Sequence, residues 1–93
     1  MSDVFEKTSE FLEKYTSFTR LQSRGTIRLT LKGANLDPQA VEKTEMIEAL
    51  KSHLPAELEK RGVEGGAEIT GKVVADVERT KFADTAYDVF KKI

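Results

Sequence analysis

The sequence predicts an α+β fold, a compact single domain over residues 1–93 with the element order α-β-α(α)-β-α. Two observations predict it. Apolar and polar residues alternate over residues 26–32 and over residues 67–78, which is typical of strands with one buried face. The remaining segments repeat their apolar residues at helical spacing, which indicates helices around a small two-stranded sheet.

The first helix is predicted over about residues 2–22, with Ser2 or Asp3 at its N-cap. Its apolar stripe is rich in aromatic rings, and a surface of that kind needs to be covered by something. We therefore expect the stripe to form an interface, through Phe11, Tyr15 and Phe18.

The first strand is predicted from Thr26 to Lys32, between two glycines. Its inward side chains are expected to be Ile27, Leu29 and Leu31. Its outward side chains are expected to be Arg28, Thr30 and Lys32.

A helical region follows, with Asp37 as N-cap and Pro38 at the first helical position. Because a proline interrupts helical hydrogen bonding, Pro55 is expected to divide this region into helices over residues 38–52 and 55–61. Gly62 is expected to end the second of these helices.

The second strand is predicted over residues 67–78, where Val74 is the one apolar residue on an otherwise polar outer face. A closing helix is predicted over residues 81–93. An isolated pair of strands is marginally stable and leaves open edges. We therefore expect a homodimer in which two sheets join into one of four strands.

The composition excludes several classes of site. There are no cysteines, so disulfides and thiolate metal sites are excluded, and a reducing, cytoplasmic location is expected. The N-terminal segment has no apolar run, and we expect no membrane anchor. No cofactor and no metal site is expected.

One stretch of the chain is basic, since no acid lies between Glu13 and Asp37. The cations of this basic ribbon are Arg20, Arg24, Arg28 and Lys32. They suggest a contact with an anion or a nucleic acid.

Four observations favour a solvated face instead. In the predicted sheet, the acids of the second strand would partly neutralise the ribbon, namely Glu68, Asp76 and Glu78. The sequence pI is about 5.9, well below the basic range of nucleic-acid-binding domains. No predicted helix carries a row of cations, and no aromatic residue stands on the outer face of either strand.

No catalytic set is evident. The stretch GAEITGKV at residues 66–73 resembles the phosphate-loop pattern, but Val73 stands where a hydroxyl is needed. His53 with Glu57 offers too few groups for a metal site or a nucleophile–base pair. Three glutamates at spacing three indicate a solvated face or an acidic docking surface, namely Glu42, Glu45 and Glu48.

These observations favour a small interaction or regulatory module that acts through self-association or protein docking and not through catalysis. The alternative is a weak nucleic-acid or anion binder that uses residues 20–32. A third possibility, an enzyme whose site forms only in a dimer, has no local motif in its favour.

Overall fold

A computed structural model describes residues 2–82, and every regular element in that range is an α-helix. The helices are α1 (Asp3–Tyr15), α2 (Arg20–Gly33), α3 (Lys43–Lys60) and α4 (Gly66–Arg79). The predicted α+β fold with a two-stranded sheet is therefore wrong, because residues 2–82 contain no strand. The predicted closing helix lies outside the described residues except for its first two positions.

Each helix packs against the next along the chain, and α4 packs against α1, so the four helices surround one core. α3 is antiparallel to α2, since Arg61 bonds to Thr26 near one end and His53 lies against Gly33 near the other. α3 is also antiparallel to α4, because the Lys43 ammonium donates to carbonyl groups at the end of α4. α2 and α4 do not contact each other.

The core draws apolar side chains from all four helices, together with Val41 from the connection before α3. Its helical members are Val4, Phe5, Leu12, Ile27, Leu31, Met46, Ala49, Leu50, Leu54, Leu58, Val73, Val74 and Val77. Within residues 2–82, no helix is both long enough and apolar enough to cross a membrane.

Residues 26–32 belong to α2 because two of their threonines are buried in the core. Thr26 and Thr30 are fully buried, and each hydroxyl donates to the carbonyl four residues earlier, at 2.7 and 2.8 Å. The buried set therefore recurs at helical spacing once hydroxyl residues are counted with Ile27 and Leu31. Leu29, expected to point inward, is exposed.

Residues 67–78 belong to α4 for a related reason. The side chains of Thr70, Val73, Val74 and Val77 are buried, at spacings of three, one and three residues. Val74, which looked like an exception on a strand, is one of the residues that define the helical face. The phosphate-loop resemblance falls at the start of this helix, where Gly66 is the first residue.

α3 begins later than expected and continues through Pro55. Asp37 and Pro38 form a turn instead, in which the Asp37 carboxylate accepts from the Gln39 amide at 2.9 Å. A proline inside a helix costs about 3 kcal/mol. Burial of a leucine contributes about 1.5–3 kcal/mol, and α3 fully buries three of them, Leu50, Leu54 and Leu58. Packing therefore outweighs the broken hydrogen bond.

Two glycines of α4 differ in the space around them, so alanine substitutions at these two positions can be compared for their effect on the free energy of unfolding. A Cβ added to Gly66 would lie 3.3 Å from Leu58 Cβ and 3.4 Å from the Pro55 carbonyl oxygen, whereas one added to Gly71 would meet nothing within 4 Å. We expect Gly66→Ala to lower the free energy of unfolding by about 1–2 kcal/mol, because the neighbouring backbone cannot yield.

Gly71→Ala is expected to raise the free energy of unfolding by about 0.5–1 kcal/mol, since alanine is the better helix former. Urea denaturation followed by circular dichroism measures both variants. Equal effects at the two positions would contradict the close packing of α3 against the start of α4.

Candidate functional site

The candidate site is built on α2, whose two ends are fixed by local hydrogen bonds. At the start, the Gln22 amide donates to Thr19 Oγ1 at 3.1 Å, and the Thr19 amide donates to Gln22 Oε1 at 2.8 Å. At the end, Asn35 adopts a left-handed conformation with φ of 59°, and the Leu36 amide donates to the Leu31 carbonyl at 2.9 Å. The helix therefore has a fixed length and a fixed outward face.

The four cations of the basic ribbon lie along this helix. Because they are spaced by four residues, each is rotated by only about 40° from the previous one, and they form a row. α2 carries no acid, whereas each of the other three helices carries more acids than bases. The expectation that no helix carries a row of cations is therefore wrong.

Two members of the row also pack against α1. Arg24 forms an ion pair with Glu6. The guanidinium carbons of Arg24 and Arg28 lie 5.4 and 5.8 Å from the centroid of the buried Phe5 ring. These cation–π contacts hold both arginines at the junction of α1 and α2 and limit their conformational freedom.

The neutralisation of the ribbon by acids of residues 67–78 was predicted wrongly. Those acids lie on α4, which does not contact α2. Glu68 pairs instead with Lys72 at 3.7 Å, and Asp76 pairs with Lys14 at 3.3 Å. Among the described residues, Glu6 pairs with Arg24, and Asp37 lines a groove together with Arg28 and Lys32.

The outward side of α2 is also apolar. Leu21 is 79% exposed and Leu29 is 43% exposed, and they are the exposed large hydrophobic residues of the described chain. Gly25 lies midway between them, and a Cβ added to it would meet nothing within 4 Å. We call the surface formed by Leu21, Gly25, Arg28, Leu29 and Lys32 the α2 face.

A groove lies at each end of the α2 face. The first, of about 530 Å³, is lined by Phe18, Leu21, Gln22, Gly25 and Arg61. The second, of about 600 Å³, is lined by Arg28, Lys32, Asn35, Leu36, Asp37, Pro38 and Gln39. Both grooves therefore combine an apolar wall with a cation.

Arg61 is fixed at the rim of the first groove. It is the C-cap residue of α3, and its Nε donates to Thr26 Oγ1 on α2 at 2.8 Å. A guanidinium group that is already held by one hydrogen bond loses less conformational entropy when it meets a carboxylate. Arg61 was absent from the sequence-based prediction because it lies 35 residues from Thr26.

The three residues of the predicted aromatic interface do not all lie on one surface. Phe11, Tyr15 and Phe18 are all partly buried against the core of their own chain. The Tyr15 hydroxyl donates to Asp76 Oδ2 at 2.7 Å, so this ring faces α4. Phe18 lines the first groove beside α2. Their role as an interface between chains stays a prediction.

Asp76 is only 7% exposed, and three neighbours hold its carboxylate. The hydrogen bond from Tyr15 is the main cause that lowers the pKa of Asp76, and Lys14 lowers it further against the opposing effect of burial. The Tyr15 side chain and then the Asp76 carboxylate raise the pKa of Lys14. This cluster joins the end of α1 to α4.

The histidine and the glutamates considered for catalysis lie on α3. His53 is in the middle of this helix and packs over Gly33, where an added Cβ would lie 3.3 Å from its Nδ1. The division into helices over residues 38–52 and 55–61, which would have put His53 between two helices, is therefore wrong. Glu57 pairs with Lys60 at 3.5 Å. A small cavity of about 300 Å³ is lined by His53, Glu45 and Glu48, among others.

No group of three or more histidine, cysteine, aspartate or glutamate side chains within residues 2–82 is placed to hold a metal ion. Glu42 is the N-cap of α3, and its amide donates to the Glu45 carboxylate at 3.0 Å. Two of the three glutamates of the predicted acidic face therefore help to begin the helix.

The sequence-based prediction missed Leu21, Gly25 and Leu29 as surface residues. Leu29 was assigned to the inner face of a strand, and Leu21 and Gly25 to the end of a helix and a turn. The four-residue spacing of the cations was the signal that could have revealed this surface. On a strand, that spacing puts the cations on one side. On a helix, it also brings Leu21 and Leu29 to the same face as the cations.

No family model, curated protein or solved structure matches this chain.

The Tyr15–Asp76 hydrogen bond predicts a pH-dependent stability. The folded-state pKa of Asp76 lies below the ordinary pKa of an aspartate. The contribution of the ionised carboxylate to the free energy of unfolding is therefore complete when the pH is above the ordinary pKa, and it is lost as the pH falls through the lowered, folded-state pKa. We expect Tyr15→Phe to be less stable than the parent chain at neutral pH, with the difference narrowing in acid. Urea denaturation at a series of pH values measures this.

Asp76→Asn should remove the same acid dependence, whereas Glu78→Gln, an exposed site on the same helix, should leave it intact. A difference between Tyr15→Phe and the parent that is constant across pH would contradict the role given to Asp76.

Proposed function

We propose that this chain is a docking module that binds a protein segment through the α2 face and carries out no catalysis itself. The observation that carries the proposal is the exposure of Leu21, 79%, on a helix whose charged residues are all cations. A cytoplasmic location, expected from the cysteine-free sequence, is part of the same proposal.

Exposed leucines on a charged helix favour a protein partner. Complete burial of one leucine contributes about 1.5–3 kcal/mol, and Leu21 leaves most of that gain unused in the free chain. A partner segment that covers Leu21 and Leu29 recovers it. The neighbouring cations then orient the segment and accelerate its association.

The predicted homodimer has lost its original argument, because the open sheet edges on which it was based are absent from residues 2–82. Two-fold pairing of α2 with its copy would also bring together two helices that carry cations and no acid. The α2 face is therefore better suited to a different, acidic partner. Size-exclusion chromatography with light scattering tests self-association through Phe11, Tyr15 and Phe18 separately.

Nucleic-acid binding is the second candidate, supported by the row of cations on one helix. Two features of the α2 face weigh against it. Its exposed leucines gain nothing from a phosphate backbone, and Glu6 already neutralises Arg24, the neighbouring cation on α2. Four phosphate contacts would reduce single-strand affinity by about 50-fold between about 50 and 200 mM salt. Titration of labelled RNA and DNA at both salt concentrations measures this.

The docking proposal is tested with a library of random peptides selected against the folded chain near physiological salt. We expect selected peptides to bind Leu21→Ser and Leu29→Ser at least about tenfold more weakly, because 1.4 kcal/mol is a tenfold change. Lys32→Gln should also weaken binding. Lys51→Gln, an exposed lysine on α3, is the matched control and should have no effect.

Failure to select any peptide that depends on Leu21 or Leu29 would overturn the proposal. Steeply salt-dependent binding of RNA or DNA, abolished by Lys32→Gln but unaffected by Leu21→Ser, would replace it with nucleic-acid binding.

A further inference from the structure

We infer that the segment bound by the α2 face is an acidic amphipathic helix of about four turns that lies along α2 and approaches it most closely at Gly25. This inference rests on the proposed docking function and specifies the partner of the same site. It is carried by the spacing of the two grooves, the open space at Gly25 and the charges around both.

The mode of binding follows from the backbone of the described chain. An extended peptide gains main-chain hydrogen bonds only at an open strand edge, and residues 2–82 contain no strand. A helix instead fits its side chains between the ridges of another helix. Leu21, Gly25 and Leu29 form one such row at four-residue spacing, with its lowest point at Gly25.

Gly25 sets the closest approach of the two helices. A Cβ at this position would meet nothing within 4 Å in its own chain, so the fold does not require glycine there. Glycine in the middle of a helix costs about 1 kcal/mol relative to alanine. The α2 face thus has a depression at its centre that its own chain leaves open, and a partner helix can pack into it.

The two grooves set the length of the partner. Leu21 lines the first and Lys32 lines the second, and eleven residues of helix separate these positions by about 16 Å. A partner helix of about 14 residues therefore reaches both grooves with one apolar side chain at each end. A near-parallel packing angle of about 20° keeps it over α2 along that length.

The charges set the composition of the partner. Arg28 and Lys32 line the second groove and outnumber the acid that also lines it, Asp37, and Arg61 is held at the rim of the first by its bond to Thr26. Glutamate or aspartate beside each apolar end of the partner would meet these cations. A basic helix would be repelled at both ends, so the choice between acidic and basic partners depends on charge.

A second copy of this chain and a lipid surface fit less well. A second copy would have to offer an acidic helix, and α1 carries the acids nearest the N-terminus. Lys7 and Lys14 lie among those acids, and Lys7 already pairs with Glu10 at 3.7 Å. An anionic membrane would need a broader apolar surface than Leu21 and Leu29 offer, since interfacial helices bury a whole apolar face.

The test uses two libraries of displayed helical peptides of about 14 residues. Both place apolar residues at i, i+4, i+7 and i+11, with glutamate at the remaining variable positions in one and lysine in the other. The folded chain should enrich only the glutamate library. A central proline introduced into the best peptide should weaken its binding by about tenfold or more, because it breaks the helix.

The matched variants are Gly25→Gln and Gly71→Gln, both at mid-helix glycines with open space around them. Both should fold with at least the parent melting temperature. Gly25→Gln should weaken the best peptide by about tenfold or more, and Gly71→Gln by less than about twofold.

The inference is overturned if the lysine library is enriched equally, if Gly25→Gln has no effect, or if the chain binds phosphatidylserine vesicles through Leu21 and no peptide. The two proposals fail differently. Random peptides that depend on Leu21 and Leu29 but tolerate proline and Gly25→Gln would leave docking intact and exclude the helical partner. Absence of any peptide that depends on Leu21 or Leu29 would exclude both.

Discussion

The structure depends on hydroxyl side chains that occupy buried positions inside the helices. The hydroxyls of Ser9, Thr26 and Thr30 are buried, and each donates to the carbonyl one turn earlier, at 2.9, 2.7 and 2.8 Å. A buried hydroxyl without a partner costs about 1–3 kcal/mol, and these three bonds remove that cost at their positions. Within residues 2–82, the hydroxyls of Thr8, Ser23 and Thr70 are buried without a hydrogen-bond partner, so packing must offset their cost. The buried faces of α1 and α2 include such hydroxyl residues as if they were apolar.

The surface of α2 follows from that buried face. Once Ser23, Thr26 and Thr30 join Ile27 and Leu31 in the core, the opposite side of the helix is occupied by the remaining residues. Those include the four cations and two leucines, and none of them is an acid. The burial of polar residues on one side of α2 and the exposure of apolar residues on the other therefore have the same cause, which is the orientation of the helix about its axis. The α2 face exists because threonines occupy buried positions of α2 and leave two leucines on its exposed side.

Local features of the sequence predicted some ends of elements and missed others, since α1 ends at Tyr15 and not near residue 22. The Ser2 cap is confirmed, since Ser2 Oγ accepts from the Phe5 amide at 3.1 Å. Gly62 follows the end of α3 with φ of 75°, as a glycine stop predicts. Period-two alternation failed because Thr26 and Thr30 were counted as polar. Burial of Asp76 was beyond prediction, since its partner Tyr15 is 61 residues away.

The candidate site was predicted in part. The basic ribbon could be recognised from the spacing of its cations. The apolar residues beside it could not, because they depend on which face of residues 20–33 is buried. A strand puts Arg28 and Lys32 with Thr30 and separates them from Leu29. A helix puts them beside Leu21 and Leu29, and that combination of charge and apolar surface supports docking to an acidic protein segment over binding to phosphate.

The helical state of residues 26–32 is the central claim, and nuclear magnetic resonance of the isotope-labelled chain tests it most directly. The account predicts helical Cα chemical shifts without interruption from Arg20 to Gly33, and contacts between amide and α protons three residues apart. Extended-type shifts over residues 26–32, with cross-strand contacts to residues 67–78, would contradict it and remove the α2 face.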